Sequence, residues 1–217
     1  MTNVDVHECA LYLVIDADPP ASDRLRAILE AIFVPTVLIK SSTADLDAAT
    51  AQPLIEIAQQ FGTAALIADD PQLARTLRAD GCHLGAASDI AAKYDEARDI
   101  LGTRYIIGAS AGKSRDDAMH LGEAGADYIA FGAPPHLQDR EKATATRRML
   151  IDWWADLFEI PCVAFDVTTK DVATELASLG ADFVSLAIPQ GMTAADAVDN
   201  VRDFTRVLGS IEPEASR

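Results

Sequence analysis

Short apolar runs alternate with longer amphipathic stretches along all 217 residues of this chain. The apolar runs cover residues 11–16, 36–40, 64–68, 82–84, 105–108, 128–132, 162–165 and 183–187. They are nearly continuous in apolar residues, as strands are when both faces of a parallel sheet are covered. Between them, helical spacing predicts helices over about 21–31, 51–61, 71–79, 89–101, 114–123, 146–158, 169–179 and 194–208. Ser22, Ser114 and Thr193 are of the type that caps helix starts, and Gly62, Gly102 and Gly180 stand just past helix ends. Three tight returns to a strand repeat one small pattern: Ala79-Asp80-Gly81, Gly125-Ala126-Asp127 and Gly180-Ala181-Asp182.

Eight strand–helix units in one chain predict a closed (βα)8 barrel, with an open doubly wound sheet as runner-up. No Pro/Gly-rich linker or shift in composition divides the chain, so one domain is expected, with a core over about 11–208 and short tails. No run approaches the ~20 apolar residues of a membrane span. The start, MTNVDVHECA, lacks a basic region followed by an apolar one, so a cytoplasmic protein is expected.

The net charge of −16 argues against nucleic acid and anionic membranes as partners. An anionic small substrate remains admissible, but its site must be built from local cations, backbone N–H groups and a metal. Cys9, Cys82 and Cys162 are odd in number and widely spaced, which fits neither a disulfide framework nor a zinc site. Cys82 and Cys162 lie in apolar runs and read as core. Trp153 and Trp154 share a helix, one predicted in the core and the other at a subunit contact. Tyr12 and Phe131 are expected to fill the barrel.

Function in such a barrel belongs at the carboxyl ends of the strands. There the sequence places Asp16, Lys40 with Ser41 and Ser42, Asp69 with Asp70, His83 through Asp89, Ser110 through Lys113, Gly132 through His136, Asp166, and Ile188 onward. Asp70 reads as the cap of the helix that begins at Pro71. Asp69 is either a cap or, with Asp89, a Mg²⁺ ligand, since Mg²⁺ takes a few oxygen ligands and keeps several waters.

Four segments then carry a resemblance when they occur in this order: Leu11-Tyr12-Leu13-Val14-Ile15-Asp16, Ala79-Asp80-Gly81-Cys82-His83-Leu84-Gly85, Ile106-Ile107-Gly108-Ala109-Ser110 and Gly125-Ala126-Asp127-Tyr128-Ile129-Ala130-Phe131-Gly132. Together they resemble the thiamine phosphate synthase family, which includes the thiazole tautomerases. The resemblance runs from Leu11 to about Leu208. It implies a barrel enzyme that joins a hydroxymethylpyrimidine diphosphate to a thiazole phosphate and releases pyrophosphate. The implied chemistry is dissociative: pyrophosphate leaves first, and the thiazole nitrogen captures the pyrimidine cation. Such a site neutralises the leaving anion with Mg²⁺ and basic groups. The family also suggests a homo-oligomer.

On that resemblance, Lys40 and Ser110 are the candidate catalytic residues. Lys40, His83, Gly108, Ser110, Gly132 and Asp166 are the candidate substrate contacts, and Asp69 and Asp89 the candidate Mg²⁺ ligands. Several family positions differ. The Q-x-R-x-K pattern of the second strand falls at Leu38, Lys40 and Ser42. The Asn-Asp pair after the third strand is Ala68-Asp69. After the HLG motif, Ala86, Ala87 and Ser88 replace Gln, any residue and a metal-binding Asp, with Asp89 one place late. The T-x-T-K motif is missing from the stretch Pro134 to Lys142. The A-I-G-G-I segment reads Ala164-Phe165-Asp166-Val167, which puts an acid where the family's phosphate-binding glycines stand. The tautomerase His is absent too, since Ala111-Gly112-Lys113 occupy its region and His120 lies within a helix.

Three functional readings follow. One is a divergent synthase, with Arg140, Lys142, Arg147 and Arg148 supplying missing positive charge from a mobile loop. A second is a non-catalytic or repurposed paralogue that binds a thiamine-related metabolite, another small molecule or a protein partner. A third is relocated chemistry at His83, His136 and Asp166.

Overall fold

In the computed structural model, residues 9–42, 45–134 and 138–209 are described. Eight parallel strands close in chain order: β1 Ala10–Asp16, β2 Thr36–Lys40, β3 Ala64–Ala68, β4 Gly81–Leu84, β5 Ile106–Ser110, β6 Tyr128–Phe131, β7 Cys162–Ala164 and β8 Phe183–Ile188. β8 pairs with β1 from Ala10↔Phe183 to Ile15↔Ile188 and shuts the ring. The helices are α1 Ala21–Ala31, α2 Ala48–Gln60, α3 Pro71–Leu77, α4 Ile90–Leu101, α5 Arg115–Glu123, α6 Arg140–Leu157, α7 Lys170–Ser178 and α8 Ala194–Leu208. The expected (βα)8 barrel is the fold.

Strand alternation sorts the apolar residues into two layers. Tyr12, Val14, Leu38, Leu66, Tyr128, Ala130 and Val163 fill the barrel, joined by Ile106, Phe165 and Phe183. Leu13, Ile15, Ile39, Ile67, Ile107, Ile129 and Leu186 belong to the outer core, with the inner faces of the helices. Phe131 is in this outer layer too, against Trp154 of α6 with ring centroids 6.0 Å apart. The expectation that it fills the barrel is corrected by the period of two: Tyr128 points inward, so Phe131, three residues on, points outward. The cysteines Cys9, Cys82 and Cys162 are buried, and burial pushes each thiol up to about 12. Trp154 is core, whereas Trp153 is half-buried under the Arg115 guanidinium, 4.6 Å from its ring.

Helix starts differ from expectation where a carboxylate acts earlier. The Asp47 side chain accepts from Thr50 N and starts α2 three residues ahead of Ala51. Asp139 accepts from Lys142 N and starts α6 at Arg140 rather than Thr146. Ser114 and Thr193 cap α5 and α8 as expected. Ser22 does not cap, because α1 already begins at Ala21.

The three repeated turns share a second function at the amino-terminal face. Each ends beside an aspartate that braces the preceding strand. Asp80 accepts from Ala65 N at 2.8 Å, Asp127 from Ile107 N at 2.8 Å, and Asp182 from Cys162 N at 2.7 Å. Each aspartate N–H also donates to the carbonyl of the same residue. A hydrogen bond to a charged group contributes about 1.5–3 kcal/mol. Asp182→Ala is therefore expected to cost about that much in urea unfolding, while an unshifted midpoint would remove the brace from the fold's energetics.

Candidate active site

The inward positions at the carboxyl ends of the strands carry the polar groups. Asp16 closes β1, Lys40 closes β2, His83 lies on β4 and Ser110 closes β5. Asp16 and Lys40 are register partners, and Lys40 Nζ stands 3.7 Å from Asp16 Oδ1. The Lys40 side chain is 40% exposed at the rim.

His83 is buried between two rings. It stacks on Phe165 at 4.7 Å and on Tyr128 at 5.8 Å, with interplanar angles of 8° and 1°. Its Nδ1 lies 2.9 Å from Tyr128 Oη and its Nε2 3.2 Å from Ser110 Oγ. Tyr128 Oη is in turn 2.7 Å from Tyr12 Oη. Burial without a carboxylate partner pushes His83 down to about 3, and burial drives the Tyr128 and Tyr12 hydroxyls well above their ordinary range.

The His83 shift has a consequence for stability. In the unfolded chain the imidazole takes up a proton near 6.5, and in the fold it does so only near 3. Between these values the unfolded state binds the extra proton, so stability rises with pH across that window and levels off above it. Taking wild type to pH 5 is expected to cost about 2 kcal/mol through this group. The His83→Gln variant should lack that component in urea melts at pH 7 and pH 5; equal slopes in the two proteins would contradict it.

Asp69 follows β3 in the left-handed region, at φ 56°, and its carboxylate accepts from Gly85 N at 2.6 Å. It thus ties the end of β3 to the loop after β4. Its neighbour Asp70 caps α3 by accepting from Leu73 N, as expected. Asp89 occupies the first position before α4 without a capping bond. Its carboxylate is 61% exposed and 3.6 Å from Lys93 Nζ. Among the described residues, no group of three or more His, Cys, Asp or Glu side chains forms a metal-binding set. A surface hollow of about 620 Å³ lies at the other end, near Asp152, Trp154, Glu159, Ser178 and Asp182. It adjoins the Asp182 brace, at the face that serves stability in these barrels.

A barrel with polar residues at this rim supports many chemistries, and likeness to known proteins narrows them. The family model described as thiamine monophosphate synthase matches residues 11–188. The chain belongs to that family. A thiamine-phosphate synthase of Rhodospirillum centenum is 34% identical over 93% of this chain and 98% of its own length. One of Thiobacillus denitrificans is 32% identical over 91% and 93%. One of Erythrobacter litoralis is 42% identical over 63% and 64%. The thiamine phosphate pyrophosphorylase of Pyrococcus furiosus superposes with a TM-score of 0.71 over 93% of this chain and 98% of that one. At 21% identity, that likeness speaks for the shared fold.

Within this thiamine monophosphate synthase family member, β7 ends in an unusual way. Asp166 has φ 58°, so an aspartate adopts the left-handed backbone that glycine usually supplies. Its carboxylate lies over Gly132, where an added Cβ would meet Asp166 Oδ2 at 2.6 Å. Beneath it, buried Arg147 of α6 donates from Nη1 to the carbonyls of Phe165, at 2.7 Å, and Asp166, at 3.2 Å. Burial lowers Arg147 and the nearby Asp166 carboxylate opposes that shift.

Arg147 corrects an expectation about the basic cluster. Residues 140–148 are the first turns of α6 rather than a loop. Arg147 is fixed under β7, and Arg148 pairs with Glu175 of α7 at 2.6 Å. Gly108 also acquires a packing role, since an added Cβ there would lie 1.9 Å from Tyr128 Cζ. His136 lies outside the described residues. The sequence reading took Tyr12 for barrel filling and missed the polar link from Tyr12 through Tyr128 to His83. An available signal was that Tyr12, His83 and Tyr128 hold inward strand positions while each carries a polar atom.

Proposed function

We propose that this chain is a thiamine phosphate synthase, joining hydroxymethylpyrimidine diphosphate to thiazole phosphate with release of pyrophosphate. The supporting observation is the family match across residues 11–188, the span that contains every candidate residue at the strand ends. In the reaction the bond between the pyrimidine methylene carbon and the diphosphate oxygen breaks, and the electron pair leaves with pyrophosphate. The thiazole nitrogen then gives its lone pair to the methylene carbon.

The chain's own groups suit that sequence. Lys40 faces the departing anion as a mobile point charge. Ser110 contacts the pyrimidine substrate, with His83 and Phe165 stacked behind it. Gly132 and Asp166 line the wall at β6 and β7, and Gly108 serves it from behind by making room for the Tyr128 ring. Asp69 would suit a Mg²⁺ site of the sparse kind, in which one or two carboxylates combine with substrate phosphates and water. Asp89 fits as the second ligand once it leaves Lys93. Bound there, Mg²⁺ would supply charge neutralisation for the leaving diphosphate. The same reading makes the protein a cytoplasmic enzyme of small-molecule substrates, as a homo-oligomer, with no nucleic acid or membrane partner. No helix among the described residues is long and apolar enough to cross a membrane.

Expression in a bacterium that lacks its own thiamine phosphate synthase tests the proposal. Growth without added thiamine is expected from wild type and not from Asp69→Ala; failure of expressed, folded wild type to restore growth would overturn it. The ion pairs that engage Lys40 with Asp16 and Asp89 with Lys93 favour one second reading, a binder without turnover. Calorimetric titration with the pyrimidine, thiazole phosphate and thiamine phosphate separates the two readings, because micromolar binding without product belongs to the binder.

A further inference from the structure

One file of hydrogen-bonding groups runs from the middle of the barrel to its mouth: Tyr12 Oη, Tyr128 Oη, His83 Nδ1 and Nε2, and Ser110 Oγ, with steps of 2.7, 2.9 and 3.2 Å. Tyr12 is 1% exposed, His83 4% and Tyr128 6%, whereas Ser110 opens to the rim. The orientation of the imidazole is fixed, because turning it over would set carbon atoms against both hydroxyls. Stacking on Phe165 and Tyr128 holds the ring plane.

The closed end decides the direction of every proton in the file. Among the described residues, the Tyr12 hydroxyl has one hydrogen-bond partner, Tyr128 Oη. A buried O–H without an acceptor costs about 1–3 kcal/mol, and an oxygen with an unused lone pair is the milder defect. Tyr12 therefore donates to Tyr128. Tyr128 must then donate to His83 Nδ1, which must be unprotonated to accept. The ring proton is left on Nε2, from which it is donated to Ser110 Oγ. The Ser110 proton has only the mouth to point to. The opposite order, serine donating to imidazole, is what an activated serine nucleophile needs. That order, like an imidazolium at His83, would leave one of the two tyrosine hydroxyl protons without an acceptor in the core.

We propose that Tyr12, Tyr128 and His83 are positioning residues that lock His83 as the Nε2–H tautomer and hold Ser110 as a hydrogen-bond donor to an acceptor atom of the substrate. The inference rests on the synthase reading only for the identity of that substrate. A pyrimidine diphosphate carries such acceptors in its ring nitrogens and its phosphate oxygens. Ser110 then neither attacks substrate nor removes a proton from it.

Long-range ¹H–¹⁵N correlation spectra of the ¹⁵N-labelled full chain read the tautomer without any turnover, with the His83 signal assigned by its loss in His83→Gln. A neutral ring protonated at Nε2 at pH 7 is expected; a ring protonated at Nδ1, or at both nitrogens, overturns the proposal whether or not the protein is a synthase. Kinetics supply the second arm. Ser110→Ala is expected to lower kcat/KM by 10- to 100-fold. Ser110→Thr, which keeps an O–H donor, should recover at least tenfold, and Ser110→Cys, a weak donor but a strong nucleophile, should not. Recovery by cysteine without recovery by threonine, or labelling of Ser110 by a sulfonyl fluoride, would overturn it.

Discussion

Gly108→Ala is expected to lower the melting temperature by about 2–12 °C and to break the file of hydroxyls behind Ser110. A Cβ at this position lies 1.9 Å from Tyr128 Cζ and 2.2 Å from both Cε atoms, well inside any contact distance. The ring has nowhere to retreat, since it stacks on His83 and meets the edge of Tyr12 at 5.8 Å. Overpacking of a filled core costs about 1–3 kcal/mol, and in a chain of this size each kcal/mol moves the melting temperature by roughly 2–4 °C. The displaced Tyr128 also leaves His83 Nδ1. Circular dichroism melts read the first effect, and the His83 ¹⁵N signals read the second. A variant with wild-type melting and an unchanged tautomer would show that the barrel interior is looser than the packing indicates.

Asp69 is the position where substitution should cost the most activity. On the synthase reading, Asp69→Ala and Asp69→Asn each lose at least about 100-fold in Mg²⁺-dependent turnover, as loss of a ligand for the charge-neutralising metal implies. The two variants differ in stability. Asparagine tolerates the left-handed backbone at φ 56° and keeps an oxygen for Gly85 N–H. Alanine loses that bond and adopts the same backbone at a cost of about 1–2 kcal/mol. The expected pattern is two inactive proteins, of which only the alanine variant melts early. Full turnover in Asp69→Asn would remove Asp69 from the site.

The sequence made most of the barrel legible because its signals are local. Continuous apolar runs located all eight strands, and β2 and β3 fall on residues 36–40 and 64–68 as expected. Errors arose where one carboxylate outranked periodicity, as Asp47 and Asp139 do at the starts of α2 and α6. The braces of Asp80, Asp127 and Asp182 were visible as a repeated motif, but their hydrogen bonds to the previous strand depend on barrel register.

The candidate site was legible as a set of strand ends and opaque as an arrangement. The sequence placed Lys40, Ser110 and Asp69 at strand ends, and the structure has them there, because the fold fixes where strand ends go. The file from Tyr12 to Ser110 joins residues 98 positions apart in the chain, and no spacing rule reports such a meeting. Asp166 was read from sequence as a charge replacing glycine. In the structure the aspartate keeps a left-handed backbone, and Arg147 of α6 lies close enough to feel its charge. That compensation comes from a residue 19 positions away, on a helix whose start the sequence misplaced.

On the proposed function, the rim around Lys40, Asp69 and Ser110 joins the two halves of thiamine phosphate. Purified full-length protein at high concentration, incubated with hydroxymethylpyrimidine diphosphate, thiazole phosphate and Mg²⁺, tests it most directly. Thiamine phosphate and pyrophosphate should appear in equal amounts, only when both substrates are present, and not with Asp69→Asn. Release of no pyrophosphate by the folded wild-type protein would contradict the account.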